Sequence, residues 1–158
     1  MAVDYFMKID GIKGESTDDK HKDEIDVLSF SWGATQPGSP GTGASRSRGK
    51  VEIQDLHFVK NCDKASPGLF LACADGSHVK VVELVCRKAG KEQQEYLKYK
   101  LSDVLISSYQ VSGSQGVPVD QVSLNFSKIE IEYKPQKADG TLDAAAKSGW
   151  DTTANKKV

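Results

Sequence analysis

Alternation of apolar and polar residues with a period of two runs through most of this chain and constrains its fold more than any other feature. Six segments of strand length show it: residues 3–9, 25–32, 50–60, 78–87, 95–111 and 121–133. Only residues 66–76 read as a helix. Strands without alternating helices favour a barrel or sandwich. The sequence therefore predicts one mainly β domain over residues 1–158, a β-barrel of two packed antiparallel sheets with one flanking α-helix.

The segment 25–32 separates its two faces clearly. Its residues are predicted to point in opposite directions as two sets: Leu28, Phe30 and Trp32 against Val27, Ser29 and Ser31. A β domain with one apolar face needs only one core, so the serine-bearing face must meet water, a ligand or a partner. Ordinary solvent exposure is the simplest of these three.

The last long strand changes parity. Its apolar residues form two groups of opposite parity, Val122, Leu124 and Phe126, then Ile129, Ile131 and Tyr133. One strand cannot keep both groups on one face without an irregularity. We expect a bulge or sharp coil near residues 127–128, or a strand that passes from one sheet to another.

The helix over residues 66–76 has recognisable start and stop signals. Ser66 is predicted to cap it, Pro67 to occupy its first turn and Gly76 to end it. Its apolar stripe is predicted to be Leu69, Phe70 and Cys73.

Two long segments are predicted to be loops. Residues 11–24 are mostly polar and read as a solvated loop, with His21 at the surface. Residues 36–49 hold two prolines, four glycines, three serines and two arginines, a composition that predicts a long flexible loop. A loop of this length inside a compact domain is commonly functional or disordered. After Pro135 the tail over about residues 136–158 is polar, and Trp150 is predicted to dock on the body or on a neighbour.

Catalytic and cofactor motifs are weak or missing. The glycine-rich loop lacks the P-loop spacing, and a strand follows it where a nucleotide site needs a helix. His21, His57 and His78 are scattered without metal-ligand spacing, and His78 is expected at the surface. Asn125 begins an Asn-Phe-Ser acceptor pattern that falls within a predicted strand. We expect no catalytic residue, no cofactor and no metal.

Charge and cysteine content narrow the partners and the compartment. The chain has 21 basic and 22 acidic residues, a net charge of −1, which argues against nucleic-acid binding and favours self-association. No apolar run is long enough to span a membrane, and the first residues lack the pattern of a secretory signal. Three unpaired cysteines, Cys62, Cys73 and Cys86, indicate reduced thiols in the cytosol.

Short segments spread in order from residue 1 to Trp150 resemble the haemolysin-coregulated protein family, Hcp, of the bacterial type VI secretion system. These segments are MAVD (1–4), KI (8–9), KGES (13–16), IDVL (25–28), SWG (31–33), GKV (49–51), DKASP (63–67), RKAG (87–90), LNF (124–126) and YKPQKADG (133–140).

The resemblance implies an inner-tube subunit that forms six-membered rings with a wide channel. The rings would stack into a tube inside a contractile sheath behind spike proteins, and the tube would carry or chaperone effector proteins. It would leave the bacterial cytoplasm through the apparatus itself, without a cleaved signal peptide or membrane insertion. On this reading Ser29 and Ser31 are candidates for the channel lining. Four residues of the long loop would contact an adjacent subunit or ring: Gln36, Pro40, Arg46 and Arg48.

Two other function classes remain open at this point. One is a monomeric small-ligand-binding β-barrel, which a closed ligand cavity and a solitary subunit would indicate. The other is a hydrolase with its site beside the glycine-rich loop, which no local motif favours.

Overall fold

The computed structural model describes residues 3–38, 49–88 and 93–158. This part of the chain forms eleven strands and one helix. The strands are β1 (Val3–Ile9), β2 (Ile25–Val27), β3 (Ser29–Ser31), β4 (Ala34–Thr35), β5 (Glu52–Ile53), β6 (Leu56–Asn61), β7 (His78–Lys88), β8 (Gln94–Ser112), β9 (Val119–Tyr133), β10 (Ala146–Asp151) and β11 (Lys156–Lys157); the helix α1 is Ser66–Asp75.

All strand pairs are antiparallel. The main sheet runs in the order β11-β10-β9-β8-β7-β1-β2, while β6 pairs with the first half of β9 and β3 pairs with β6. Strands β4 and β5 form a separate two-stranded sheet. The predicted class, mainly β with antiparallel sheets and a flanking helix, is confirmed. Among the described residues the ladder does not close into a complete barrel: β2 pairs only with β1, β3 pairs only with β6, and no ladder joins the two ends.

The segment 25–32 is divided at Leu28, and the structure corrects the predicted faces there. Strand β2 pairs with β1 and β3 pairs with β6, while the Leu28 N–H donates to the Val59 carbonyl at 2.8 Å. Val27 is buried and Leu28 is 53% exposed, the reverse of the prediction. The alternation of buried and exposed side chains restarts at Leu28, where the segment changes its pairing partner from β1 to β6. Ser29 and Ser31 are exposed and Phe30 packs against the core, as predicted.

The parity change in β9 is real, but it occurs without a bulge. Phe126 and Ile129 are both buried although their parities differ. The register with β8 is unbroken there, and the register shift lies between Ile106 and Ser108 of β8. Asp103 of β8, close to the parity change, has a left-handed φ of 52°. The paired strands therefore coil together at this point.

The helix α1 packs against β8 and ends at Gly76, whose φ of 71° is the left-handed cap that glycine favours. Ser66 lies inside the helix and makes no cap bond; Ala65 occupies the cap position. Leu69 is buried, but Phe70 is 59% exposed, so the predicted stripe is wrong at Phe70.

The core lies between the helix and the inward faces of the long strands. Its fully buried members come from seven different elements: Met7, Ile25, Leu56, Phe58, Leu69, Val82, Val104, Val122 and Leu124. These residues are far apart in sequence, so elements from β1 to β9 contribute to one core.

The segment 11–24 is held firmly against the sheet, and the prediction of a surface His21 is wrong. The His21 ring is 5% exposed and stacks on Phe6 of β1 with ring centroids 4.3 Å apart. Its two nitrogens lie 3.0 Å from Glu24 and 2.7 Å from Glu95 of β8. The contacts with the two glutamates and the stacking on Phe6 together offset the burial of the imidazole.

Asp18 in the same segment accepts two hydrogen bonds from Arg87 of β7, at 2.9 and 2.7 Å. These bonds hold the pKa of the Asp18 carboxyl far below its usual range. A lowered folded-state pKa stabilises the fold above the unfolded value of about 4, and that stability is lost as the pH falls below it.

Asp18→Asn should therefore make stability less dependent on acid pH. We expect the urea midpoint of the wild type to fall more steeply than that of Asp18→Asn between about pH 5 and 2. Tryptophan fluorescence can report the midpoints, and Asp19→Asn, at an exposed neighbouring position, is the matched control. Parallel curves for wild type and Asp18→Asn would show that the ion pair contributes nothing.

Candidate functional site

Ser29 and Ser31 each belong to a row of side chains on the outer surface of the sheet. In an antiparallel sheet, residues directly opposite each other lie on the same face. The strand registers across β3, β6, β9 and β8 place four residues in each row: Ser29, Val59, Gln121 and Gln110 in the first, and Ser31, His57, Ser123 and Ser108 in the second. We call these eight residues the polar face.

The opposite side of the same strands is the protein core. Between the two rows, Phe58 and Val122 lie opposite each other and are fully buried. Phe30 and Tyr109 flank them and pack against the core. The strands thus bury one face completely, and the polar face is left for solvent or a partner.

The polar face has no carboxylate or permanently charged side chain. Its members carry hydroxyl groups, amides, one imidazole and one isopropyl group, with no carboxylate, ammonium or guanidinium. His57 Nδ1 lies 3.2 Å from Ser123 Oγ and joins β6 to β9 within the second row. Small uncharged groups bind other surfaces weakly and without strong preference for charge.

Formal charges are concentrated on a different part of the sheet. On β7, the first half of β8, the second half of β9 and β10, opposed residues alternate in sign in two lines: Glu83, Lys100 and Glu130, and Lys98, Glu132 and Lys147. Lys147 and Lys134 lie 3.9 and 3.7 Å from Glu132. Cross-strand pairs of opposite charge stabilise such a surface modestly. The two halves of the outer surface therefore differ in charge.

Of the remaining predicted site residues, Gln36 and Trp150 are not members of the polar face. Gln36 is exposed just after β4, while Pro40, Arg46 and Arg48 lie outside the described residues. Trp150 is in β10, opposite Ile129 of β9, and packs against the core. Trp150 also lines a surface cleft of about 620 Å³, together with Trp32 and Gln36. The tail, for which no strand was predicted, forms β10 and β11.

Several members of the polar face were not predicted. Alternation within residues 25–32 indicated Ser29 and Ser31 but not their partners across β6, β8 and β9. The parity of Gln121 and Ser123, alternating with buried Val122 and Leu124, was the available signal. Only the strand order, which joins residues about 90 positions apart, could place those side chains beside Ser31.

Ser127, His78 and Asp103 form a cluster whose residue types resemble a catalytic triad. The Ser127 hydroxyl donates to Asp103 at 2.7 Å, and the His78 imidazole contacts the other Asp103 oxygen at 2.7 Å. The His78 imidazole therefore contacts the Asp103 carboxylate and not the Ser127 hydroxyl. A base must contact the hydroxyl to activate it as a nucleophile, so this arrangement is the wrong one. His78 is exposed, as predicted.

Residues 3–38, 49–88 and 93–158 contain neither a candidate metal site nor a candidate membrane-spanning helix. In them, no group of three or more histidine, cysteine, aspartate or glutamate side chains could hold a metal ion. Over the same ranges, no helix is both long enough and apolar enough to cross a membrane. Cys62, Cys73 and Cys86 are all free thiols, and burial raises the pKa of Cys86 to about 11.

The fold and the polar face together define a β-sheet protein that presents extended surfaces. Residues 6–133 match the family model described as type VI secretion system effector, Hcp, and the chain belongs to the Hcp family. Members of this family are tube subunits of the type VI secretion system. The chain is therefore a tube subunit, which associates with itself and is secreted.

Relatives match over nearly the whole chain. Protein hcp1 of Pseudomonas aeruginosa is 47% identical over 98% of both chains. The crystal structure of Hcp1 from Salmonella typhimurium is 40% identical, covers 100% of both chains and has a TM-score of 0.83. A type VI secretion system effector from Yersinia pestis is 36% identical over 94% of this chain and 99% of its own, with a TM-score of 0.78.

Proposed function

We propose that six copies of this chain form a ring whose central channel is lined by the polar face, and that stacked rings carry effector proteins. The observation that supports this most directly is the separation of the outer surface into an uncharged part and a charged part. A channel wall that carries varied cargo needs a wet surface without strong fixed charges. The polar face has that character, and the lines of alternating charge lie elsewhere.

Weak contacts suffice for cargo because the ring repeats them. One subunit offers a few hydroxyl and amide groups, each with a small contribution to binding. Six subunits present the same groups around one channel, and linked weak contacts add to a much stronger total. The cargo is then retained during assembly and released when the tube comes apart.

Ring formation requires head-to-tail contacts, which close only when the rotation between neighbours divides a full turn. A net charge of −1 on 158 residues keeps repulsion between stacked copies low. In this proposal the loop 36–49 contacts an adjacent subunit or ring. The tube lies inside a contractile sheath behind a spike, is made in the bacterial cytoplasm and leaves without a cleaved signal peptide. The tube protein has no catalytic role.

Ser31→Trp should reduce cargo retention about tenfold while leaving rings intact. An indole in place of an exposed hydroxymethyl group on β3 would cover the neighbouring small polar groups and narrow the channel. We expect effector proteins that co-purify with affinity-tagged rings to fall about tenfold, the effect of losing roughly 1.4 kcal/mol of binding free energy.

Ser148→Trp is the matched control, because Ser148 is an exposed serine of a different strand, β10. Native mass spectrometry should show the same ring mass for both variants. Undiminished co-purification with Ser31→Trp would remove Ser31 from the channel wall. A monomer that binds a small molecule would favour the alternative of a ligand-binding β-barrel.

A further inference from the structure

His57 lies in the second row of the polar face. The registers place it opposite Ser31 of β3 on one side and Ser123 of β9 on the other, with Ser108 of β8 next in the row. Its ring is half-buried, and Nδ1 lies 3.2 Å from the Ser123 hydroxyl. The strand pairing therefore holds the imidazole on the same surface as the serines.

The described residues that share a row with His57 on this face carry no charge. Histidine is the side chain that ordinarily changes its charge between about pH 5 and 8. Ser31, Ser123 and Ser108, the residues opposite it on the three other strands, do not ionise in that range. On its own strand segment, Asp55 precedes it by two positions and is held by the Ser107 hydroxyl at 2.6 Å and the Asn125 amide at 2.8 Å.

We propose that His57 is a specificity residue that lets the polar face bind acidic segments of cargo proteins in mildly acidic conditions. The inference rests on the proposed ring, because six copies place six imidazoles at one height around the channel. Since Nδ1 contacts Ser123, Nε2–H of the charged ring is the donor for a cargo carboxylate. Such a charge-assisted hydrogen bond is stronger than the neutral contacts of the serines.

The test uses the assembled full-length protein and a rhodamine-labelled hexaglutamate peptide, with binding read as fluorescence anisotropy. Glutamate side chains stay ionised above about pH 5, so the peptide keeps its charge at both test conditions. Wild-type rings should bind the peptide about tenfold more tightly at roughly pH 5.5 than at roughly pH 8. His57→Gln should bind weakly at both, and His57→Lys should bind at both.

His78→Gln is the control, because His78 is an exposed histidine paired with Asp103 outside the polar face. It should keep the wild-type dependence on pH. Intact rings whose His57→Gln variant shows the same pH dependence as wild type would overturn the role of His57 and leave the proposed function standing. A chain that forms no rings by native mass spectrometry at either pH would contradict the proposed function itself, and with it the role of His57.

Discussion

Lys60→Met is expected to destabilise the domain by about 3–5 kcal/mol, because it leaves a buried carboxylate without its cation. Lys60 and Asp120 are both fully buried, and Lys60 Nζ lies 2.7 Å from an Asp120 oxygen. Asp63 accepts a second contact from the same ammonium at 2.7 Å. The methionine variant would leave Asp120 with only the hydroxyl donors of Ser66 and Tyr109.

This network lies on the inward side of β6 and β9, next to the start of α1. It connects β6 and β9, two of the strands that carry the polar face, with the start of α1 and with β8. Urea denaturation followed by tryptophan fluorescence would give the free energy of unfolding. Lys80→Met, at an exposed position of β7, is the control and should change it by less than about 0.5 kcal/mol.

The double variant Lys60→Met/Asp120→Leu separates the cost of a lone charge from the loss of the pair. Replacing both members of a buried ion pair with apolar residues is often neutral or stabilising. We therefore expect the double variant to recover most of the stability that Lys60→Met loses. A double variant as unstable as the single one would show that the pair itself stabilises the fold.

Phe58→Ala is expected to cost about 3–5 kcal/mol of folding free energy, because it opens a cavity in the core. Phe58 is fully buried between Phe30 of β3 and Val122 of β9. The next residue, Val59, points to the polar face, and Val59→Ala should cost about 1 kcal/mol or less. Phe58 and Val59 are neighbours in sequence, but their side chains lie on opposite faces of β6.

Urea denaturation of both variants tests which side of β6 is buried. The expected large difference supports a core on the Phe58 side and a spare surface on the Val59 side. Similar losses for both variants in the isolated subunit would mean that the polar face is also packed, and the channel-wall assignment would fail.

Much of the strand content could be predicted because alternation is a local property. Strands β1, β7, β8 and β9 were predicted to within about two residues at each end. The same rule failed at Leu28, because the segment changes its pairing partner from β1 to β6 there. No pattern within eight residues reveals that exchange, which depends on strands elsewhere in the chain.

The errors at His21, Ser66 and Phe70 have related causes. His21 is buried by Phe6 and Glu95, which are distant in sequence. Ser66 has the residue type of a helix cap, but its hydroxyl is used by buried Asp120 instead. Phe70 has the spacing of a core residue, yet the helix turns it outward beside Tyr109. Long-range contacts override local preference in each case.

A signal for the buried pair was present in the sequence. Lys60 shares the parity of Leu56 and Phe58, and Asp120 shares that of Val122, and the structure buries all five side chains. Opposite charges on two inward-facing strands indicate a buried ion pair once the strands are known to be neighbours. The candidate site shows the same division: alternation identified Ser29 and Ser31, but the pairing of β6, β8 and β9 was needed to find the rest.

Six-subunit assembly is the claim on which the account of function depends, and native mass spectrometry of the purified chain tests it most directly. The account predicts a species of six 17.2-kDa subunits, seen as annular particles with an open centre when the same sample is imaged by electron microscopy. A chain that remains monomeric at high protein concentration, with no annular particles, would contradict it.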